Sequence, residues 1–377
     1  MKILFVLENY YPHIGGVETV FENLAKGLAK KGHKVDIITS KIKGTKKEES
    51  KDNYKIHRIT TPQIGRRYWF SCLAIPAVLK YAENADIIHT TTYNGAPPAR
   101  IASILSNKPA VITVHEVLGS SWKTAVGINW LSAKLHQFLE KLIIVSKFDC
   151  FIAVSNSTKR SLLKCKVKKE KIKVVHNGVD YDLYNPKKYI KEKSKIRKKL
   201  GLEKNFVYTY YGRPGITKGI DFLINAVPLI SKKIPNSRLM LILSKSPKNR
   251  YDYILNLINK LNIRDNITLV EPQRKENLPQ YIISSDCVVV PSLSEGFGFT
   301  AAEACALNVP VVASNTTSLP EVVSGKYILV EPRNPNAIAK AVEDVYKGKV
   351  KSKPKKLFTV NKNVENYLKI YKELIKK

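Results

Sequence analysis

Short apolar runs alternate with amphipathic stretches along nearly the whole chain, and the alternation occurs in two series. In the first series an apolar run at residues 3–7 is followed by residues 17–31, where apolar side chains recur at helical spacing. A second series of the same kind begins after Lys199. Strands that alternate with helices form parallel, doubly wound sheets. The sequence therefore predicts an α/β protein made of two Rossmann-like domains in series.

The individual runs predict where the elements and the domain boundary lie. Predicted strands occupy residues 3–7, 35–39, 87–89, 111–115 and 151–154, and then 207–211, 239–243, 267–270, 287–290 and 309–313. Predicted helices occupy residues 17–31, 218–231, 251–261 and 360–377. Composition becomes lysine-rich and poor in core residues between these two series. We therefore expect an N-terminal domain at residues 1–185, a C-terminal domain at 186–357, and a final helix at 358–377.

Composition limits the cellular setting and the partners. The N-terminus reads as a buried strand rather than a secretory signal, no apolar run approaches a bilayer span, and the five cysteines lack paired spacing, so we expect a cytoplasmic protein without a zinc site. The formal net charge of +33 is uneven, with 16 Lys/Arg against 4 Asp/Glu at residues 151–200. Such a surplus favours nucleotides, phospholipid headgroups, polyphosphate-linked acceptors or nucleic acid, or else forms a solvated surface without a dedicated partner.

The segment at residues 292–304 contains the strongest functional signal. It follows the apolar run Cys287–Val290 and contains a glycine-rich turn before a helix that starts near Phe299. The free N–H groups at such a helix start form an anion site. Glu295 and Glu303 flank this site, and ionised carboxylates accept hydrogen bonds from hydroxyl groups. A ligand that has both phosphate groups and several hydroxyl groups is a nucleotide sugar. The alternative is that both glutamates only complement the helix dipole.

Three further positions have side chains or backbone suited to the same chemistry. Arg213 and Lys218 follow a strand and open a helix, where two cations would clamp a diphosphate, unless they are only surface charges. Gly15-Gly16 lies between the first strand and the first helix, where the backbone would approach a ligand closely or would form a plain turn. His115 ends a strand, where doubly wound sheets present catalytic groups, although a structural histidine fits the same position.

Six segments together resemble a known family, the retaining GT-B glycosyltransferases with a Glu-x7-Glu motif (glycosyl transferases group 1 / family 4). They occur in the family's order and span nearly the whole chain: Pro12-His13-Ile14-Gly15-Gly16-Val17-Glu18, Thr113-Val114-His115-Glu116, Ala153-Val154-Ser155-Asn156-Ser157, Asn177-Gly178-Val179-Asp180, Tyr211-Gly212-Arg213 with Lys218-Gly219, and Glu295 to Glu303. The resemblance implies a GT-B fold, in which two Rossmann-like domains face an interdomain cleft and the final helix crosses back to the N-terminal domain.

The resemblance also assigns roles to residues. It implies that His115, Arg213, Lys218 and Glu295 form the catalytic group, with Arg213 and Lys218 on the donor diphosphate and Glu295 on the sugar hydroxyls. It places Glu303 on the ribose. The expected donor site comprises Gly15, Gly16, Gly212, Arg213, Lys218, Glu295, Gly296, Phe297, Gly298, Phe299, Thr300 and Glu303.

The expected activity is retaining transfer of a sugar from a nucleoside diphosphate to an acceptor hydroxyl, without a cofactor or an essential metal. Asp180-Tyr181-Asp182 matches a metal-binding pattern of another fold, but we interpret it as structural. UDP-glucose is the first donor expected and GDP-mannose the second. The acceptor would be a glycan or a lipid-linked precursor.

Two aromatic segments point to a membrane as a further partner. Residues 68–75 and 122–130 lie beside Arg66, Arg67 and Lys123, and they indicate either cleft and core packing or reversible association with an anionic inner membrane face. Rival functions are a GT-B sugar-nucleotide epimerase or phosphorylase-like enzyme, and a basic nucleic-acid-binding protein. The second rival leaves the two glutamates beside the anion site unexplained, so we expect no nucleic acid partner.

Overall fold

The computed structural model describes residues 1–13, 15–51, 53–62 and 64–376, and Arg67 by its backbone only. Ile14 of the Pro12–Glu18 segment and Lys377 of the final predicted helix therefore lie outside the described residues. The chain divides into two compact units. The first unit contains residues 1–123 and 128–178 together with the chain from residue 358 onwards. The second unit contains residues 124–127 and 179–357.

The strands and helices alternate in chain order. The strands are β1 (Lys2–Leu7), β2 (Lys34–Ser40), β3 (Glu48–Lys51), β4 (Tyr54–Ile59), β5 (Ile87–Thr91), β6 (Ala110–Val114), β7 (Cys150–Ala153), β8 (Ile172–Val174), β9 (Phe206–Gly212), β10 (Ser237–Leu243), β11 (Ile267–Val270), β12 (Cys287–Val290), β13 (Val311–Ser314), β14 (Gly325–Val330) and β15 (Lys351–Lys353). The helices are α1 (Gly16–Lys30), α2 (Arg66–Leu73), α3 (Ile75–Ala82), α4 (Ala96–Ser106), α5 (Trp122–Val126), α6 (Trp130–Val145), α7 (Asn156–Lys164), α8 (Pro186–Tyr189), α9 (Glu192–Leu200), α10 (Ile220–Lys233), α11 (Lys248–Lys260), α12 (Leu278–Ile283), α13 (Phe299–Ala306), α14 (Leu319–Val322), α15 (Pro335–Tyr346) and α16 (Val360–Ile375).

The first unit is built on an eight-stranded sheet in the order β3-β4-β2-β1-β5-β6-β7-β8. Every pairing is parallel except β3 with β4. The strands β1, β5 and β6 are buried on both faces, as expected of parallel strands covered by helices, although β5 contains the polar residues His89, Thr90 and Thr91. The last helix, α16, buries Val364, Tyr367 and Tyr371 in the same core as Phe21 and Leu24 of α1. The C-terminal end of the chain is therefore part of the first unit.

The second unit is built on a seven-stranded sheet in the order β11-β10-β9-β12-β13-β14-β15. Only β15 pairs antiparallel. Its first six strands have the order of a dinucleotide-binding sheet, with the third and second strands of the unit on one side of the first and the fourth to sixth on the other. Helices α10, α11 and α15 pack into the core against β9, β10 and β12.

The structure contains each predicted strand, with bounds shifted by two residues or fewer. Two differences affect the candidate site. Lys218 does not open a helix: it ends a 3-10 turn at Ile216–Lys218, and α10 begins at Ile220. His115 lies one residue beyond the end of β6. The hairpin of β3 and β4 was not predicted, because Arg58 in β4 is buried through an ion pair with Glu49 rather than through apolar packing.

Candidate functional site

The strand order of the second unit reverses between β9 and β12, which are paired neighbours. In open α/β sheets, ligands bind outside the carboxyl ends of the strands at this reversal point. Two loops leave the sheet there. One follows β9 and contains Arg213 and Lys218, and the other follows β12 and contains residues 291–298. Topology therefore brings together the two segments that the sequence singled out.

The two loops are joined at close range. The backbone N–H of Leu293 donates to the carbonyl oxygen of Thr217 at 2.7 Å. Gly219 has a φ of +62°, and a Cβ at this position would lie 2.1 Å from the carbonyl oxygen of Pro291. A side chain there would force the loops apart, so glycine is required on both conformational and steric grounds.

Lys218 and Glu295 form an ion pair across these loops. Lys218 Nζ lies 2.7 Å from Glu295 Oε1, and the Ser292 hydroxyl donates to the same oxygen at 2.8 Å. The backbone of Glu295 is fixed as well, because its N–H donates to Thr317 Oγ1 and its carbonyl accepts from the Ser318 hydroxyl. The carboxylate is thus held in one position, next to the only cationic side chain of the 3-10 turn.

The start of α13 offers unpaired backbone donors. Gly298, with a φ of +96°, precedes the helix, and no side chain caps it. The free N–H groups of the first turn favour an anion. Phe297 is buried and its ring packs edge-on against that of Phe299 at 5.3 Å, which fixes the turn that contains Gly296. Gly212, at the other loop, ends β9 and accepts a hydrogen bond from the Ser244 N–H.

Glu303 lies one turn into α13, within reach of two buried phenols. Tyr211 OH lies 2.8 Å from the Thr300 carbonyl oxygen and 3.1 Å from Glu303 Oε2, and Tyr184 also hydrogen-bonds the carboxyl group. Burial raises the pKa of Glu303 to about 7, against the hydrogen bonds from Tyr184 and Tyr211, which lower it. This carboxyl group is therefore partly protonated near neutral pH, unlike an exposed glutamate.

Two arginines define the loop after β9. Arg213 is exposed, and its carbonyl oxygen accepts a hydrogen bond from Tyr210 OH at 2.8 Å. Arg250 of α11 was not predicted: its Nη2 donates to both carboxylate oxygens of Asp221 at 2.7 and 2.9 Å, and its Nε donates to the Pro214 carbonyl at 3.2 Å. Arg250 thus ties the loop to the first turn of α10. No local pattern marks this residue, because its partners are 29 and 36 positions away.

The first unit presents a second group of predicted residues, at the carboxyl ends of β1 and β6. Gly15 precedes α1 and Gly16 begins it. The Glu18 carboxylate lies beside Gly15 and accepts from His13 Nδ1 at 3.0 Å. Nε2 of His115 is buried without a hydrogen-bond partner among the described residues, and burial lowers the pKa of His115 to about 4. The imidazole is therefore neutral, with a polar atom that a ligand would satisfy.

A cavity of about 440 Å³ lies in the first unit where its own strand order reverses, between β1 and β5. Glu8, Asn9 and Asn94 supply polar groups at the strand ends, and the Asn94 amide donates to Glu8 Oε2 at 2.6 Å. The remaining wall is mainly apolar and aromatic, with Tyr68 of α2, Trp122 of α5, and His136, Leu139, Leu142 and Ile143 of α6. Such a cavity fits a ligand that has a polar end and an apolar end.

The described residues contain no group of three or more His, Cys, Asp or Glu side chains placed to hold a metal ion. In the Asp180-Tyr181-Asp182 segment, Asp180 Oδ1 accepts hydrogen bonds from the N–H groups of Asp182 and Leu183 at 3.1 and 2.9 Å. This carboxylate closes a local turn. Metal independence itself stays a prediction.

Comparison with known proteins agrees with this architecture. Residues 14–183 match the model of Glycosyltransferase Family 4, and residues 192–369 match that of Glycosyl transferases group 1. An uncharacterised glycosyltransferase of Methanocaldococcus jannaschii is 28% identical over 365 residues, which cover 92% of this chain and 89% of the relative.

Solved structures show the same fold. Sucrose-phosphate synthase from Thermosynechococcus elongatus superposes with a TM-score of 0.81 at 21% identity and covers 100% of this chain and 99% of its own. HepE from Anabaena, in complex with UDP and glucose, superposes with a TM-score of 0.73 at 19% identity, with 99% and 100% coverage. The two sheets thus form the two-domain α/β GT-B fold, which confirms the fold class predicted from the sequence. The chain belongs to the GT-B glycosyltransferases and is an enzyme of that class.

Proposed function

We propose that this glycosyltransferase moves a sugar from a nucleoside diphosphate to an acceptor hydroxyl with retention of anomeric configuration. The observation that carries the proposal is the Lys218–Glu295 pair beside the uncapped start of α13. A cation and free N–H groups suit a diphosphate, and the adjacent carboxylate suits sugar hydroxyls. No particular feature of this site favours an epimerase, a phosphorylase or a nucleic-acid-binding protein.

Each residue has a role that follows from its chemistry. Lys218 and Arg213 would stabilise the negative charge that develops on the leaving diphosphate, which is the main electrostatic requirement of glycosyl transfer. Glu295 would accept hydrogen bonds from the donor sugar and Glu303 from the ribose. Neutral His115 would contact the sugar near the reacting centre through Nε2. The donor phosphate itself would act as the base in a front-face reaction, without a cofactor or an essential metal.

Uracil is the donor base that we favour, with UDP-glucose as the first donor and GDP-mannose as the second. Three solved structures of HepE that share the fold hold UDP, UDP with glucose, or UDP-glucose. The sequence identity of these structures to this chain is only about one fifth, so the donor base has to be determined by a binding experiment.

The acceptor proposed for the cavity of the first unit is a glycan precursor with an apolar portion, such as a lipid-linked sugar. Its hydroxyl groups would meet Glu8, Asn9 and Asn94, and its apolar portion the α6 wall. None of the helices among the described residues is both long and apolar enough to cross a membrane. Because the chain is strongly basic, we propose that the enzyme works in the cytoplasm, attached peripherally to the anionic inner face of the membrane.

The first experiment is a thermal-shift screen against UDP, GDP, ADP and their common sugars. A ligand that binds only the folded state raises the melting temperature. We expect a shift with one base family, lost in Lys218→Ala and in Glu303→Ala but retained in Lys232→Ala, which removes an exposed lysine at the far end of α10. No shift with any nucleotide would contradict the proposal.

A further inference from the structure

Helix α6 exposes an unusual apolar face. Leu131, Leu135, Phe138, Leu142 and Val145, which we name the α6 stripe, recur at intervals of four and three residues and are between 46% and 71% exposed. This spacing places them on one side of the helix. The opposite side, with Ala133 and Ile144, is buried against the unit. A soluble helix normally presents polar residues outward, so the stripe marks a docking surface.

The exposed charged side chains in the segment around the α6 stripe are all positive. Residues 117–148 contain four lysines and one acid, Glu140. Glu140 is turned inward, where its carboxylate accepts hydrogen bonds from the N–H groups of Leu118 and Gly119, from Trp122 Nε1 and from Tyr93 OH, at 2.7 to 3.2 Å. Lys134 and Lys141 are exposed, and helical periodicity places them along one flank of the stripe. The outer surface of α6 is therefore apolar and cationic.

Aromatic side chains extend this surface to the neighbouring helix. Tyr68 OH of α2 contacts His136 Nε2 of α6 at 2.9 Å, which places the two helices side by side. Trp69 on α2 and Trp130 at the start of α6 are 50% and 62% exposed. Exposed tryptophans and lysines around an apolar stripe are typical of helices that lie in the headgroup region of a membrane.

We propose that the α6 stripe inserts into the surface of an anionic lipid bilayer and holds the enzyme there, a proposal that deepens the function proposed above and rests on it. The charges select this occupant. A second copy of the chain would bring its own lysines against Lys134 and Lys141, whereas anionic headgroups attract them. Leu142 belongs both to the stripe and to the wall of the cavity in the first unit, so a lipid-anchored acceptor would enter from the membrane side.

The test is co-sedimentation of the full chain with vesicles of phosphatidylcholine alone or mixed with phosphatidylglycerol. We expect binding only to the mixed vesicles, and release at about 0.5 M salt, where screening is strong. The variant Leu135→Ser with Phe138→Ser should lose binding by about tenfold or more, because it removes two of the exposed apolar side chains that would enter the bilayer. Lys134→Glu with Lys141→Glu should lose it as well. Ile190→Ser, which changes an exposed apolar residue of the second unit, is the matched control and should bind normally.

Several outcomes would overturn the proposal. They are wild-type protein that stays in solution with mixed vesicles at low salt, a double serine variant that binds as well as wild type, or a wild-type dimer that this variant converts to monomers. Melting temperatures measured with and without nucleotide, in the absence of vesicles, separate this failure from failure of the proposed function. A protein that is stabilised by nucleotide but does not bind vesicles would refute only the membrane surface.

Discussion

Lys218 Nζ lies 2.7 Å from Oε1 of Glu295, although the two residues are 77 positions apart in the chain. The contact joins the loop after β9 to the loop after β12, at the point where the strand order of the second sheet reverses. A cation thus lies next to an acceptor of hydroxyl groups, in front of free backbone donors. This arrangement suits the sugar diphosphate that we propose as the donor.

Removal of this cation should weaken donor binding. In Lys218→Ala we expect the affinity for the nucleoside diphosphate to fall by roughly thirtyfold, since one charge-assisted hydrogen bond contributes about 2 kcal/mol. Isothermal titration calorimetry would measure it, with Lys232→Ala as the control. Equal affinities in the two variants would exclude Lys218 from the diphosphate site.

Gly219 should be essential for stability. Gly219→Ala is expected to lower the free energy of unfolding by about 4 kcal/mol, because the new methyl group strains a left-handed residue and collides with the Pro291 carbonyl. Gly201 has a similar φ of +66° and open space around the position of its Cβ, so Gly201→Ala should cost only about 1 kcal/mol. Urea unfolding of both variants measures the difference, and similar losses would refute the steric argument.

The raised pKa of Glu303 makes two pH effects testable. The pKa of Glu303 is about 7 in the folded protein and lower, at its ordinary value, in the unfolded protein. Protonation of Glu303 therefore stabilises the fold, fully at a pH below the unfolded pKa, and this contribution is lost as the pH rises through 7. Binding of UDP-glucose should behave oppositely, because only the ionised group accepts from both ribose hydroxyls. We expect affinity to rise about tenfold between pH 6 and pH 8. Glu303→Gln should remove this dependence; a slope that persists in the variant would point to another group.

His115 and His89 provide a matched pair of histidines in the first unit. His89 is fully buried and contacts the hydroxyls of Thr113 and Tyr371 at 2.8 and 2.6 Å, so His89→Gln should lower the melting temperature. His115 Nε2 has no such partner, so His115→Gln should lower kcat/KM by roughly 10-fold to 100-fold with a smaller loss of stability. Since burial lowers the pKa of His115 to about 4, its titration should be absent from the rate profile above pH 6. The reverse pattern of losses would make His115 a structural residue.

Arg250 should act as a positioning residue for the loop after β9. Arg250→Ala removes the contacts to Asp221 and the Pro214 carbonyl, and we expect about fivefold weaker donor binding with an unchanged rate at saturating donor. Lys248→Ala, an exposed change on the same helix, is the control. Steady-state kinetics with varied donor would separate KM from kcat. A fall in kcat alone would contradict the positioning role.

Features that depend on local pattern could be predicted from the amino-acid sequence. Apolar runs such as Cys287–Val290 specify buried strands, and glycines such as Gly298 permit turns that few other residues adopt, so the α/β class and the start of α13 were predictable from neighbours in the chain. The family segments, in their order, added the expectation of a GT-B glycosyltransferase, which the comparisons confirmed.

Contacts between residues that are distant in the chain could not be predicted before the packing of the strands and helices was known. The Lys218–Glu295 pair and the contact of Arg250 with Asp221 join residues that lie close together only because of the way strands and helices pack. The inward turn of Glu140, which leaves α6 without an exposed acid, likewise rests on four donors from other segments. Polar contacts of this kind depend steeply on distance and angle. They can form only after packing has fixed the positions of the backbone segments to which the two side chains belong.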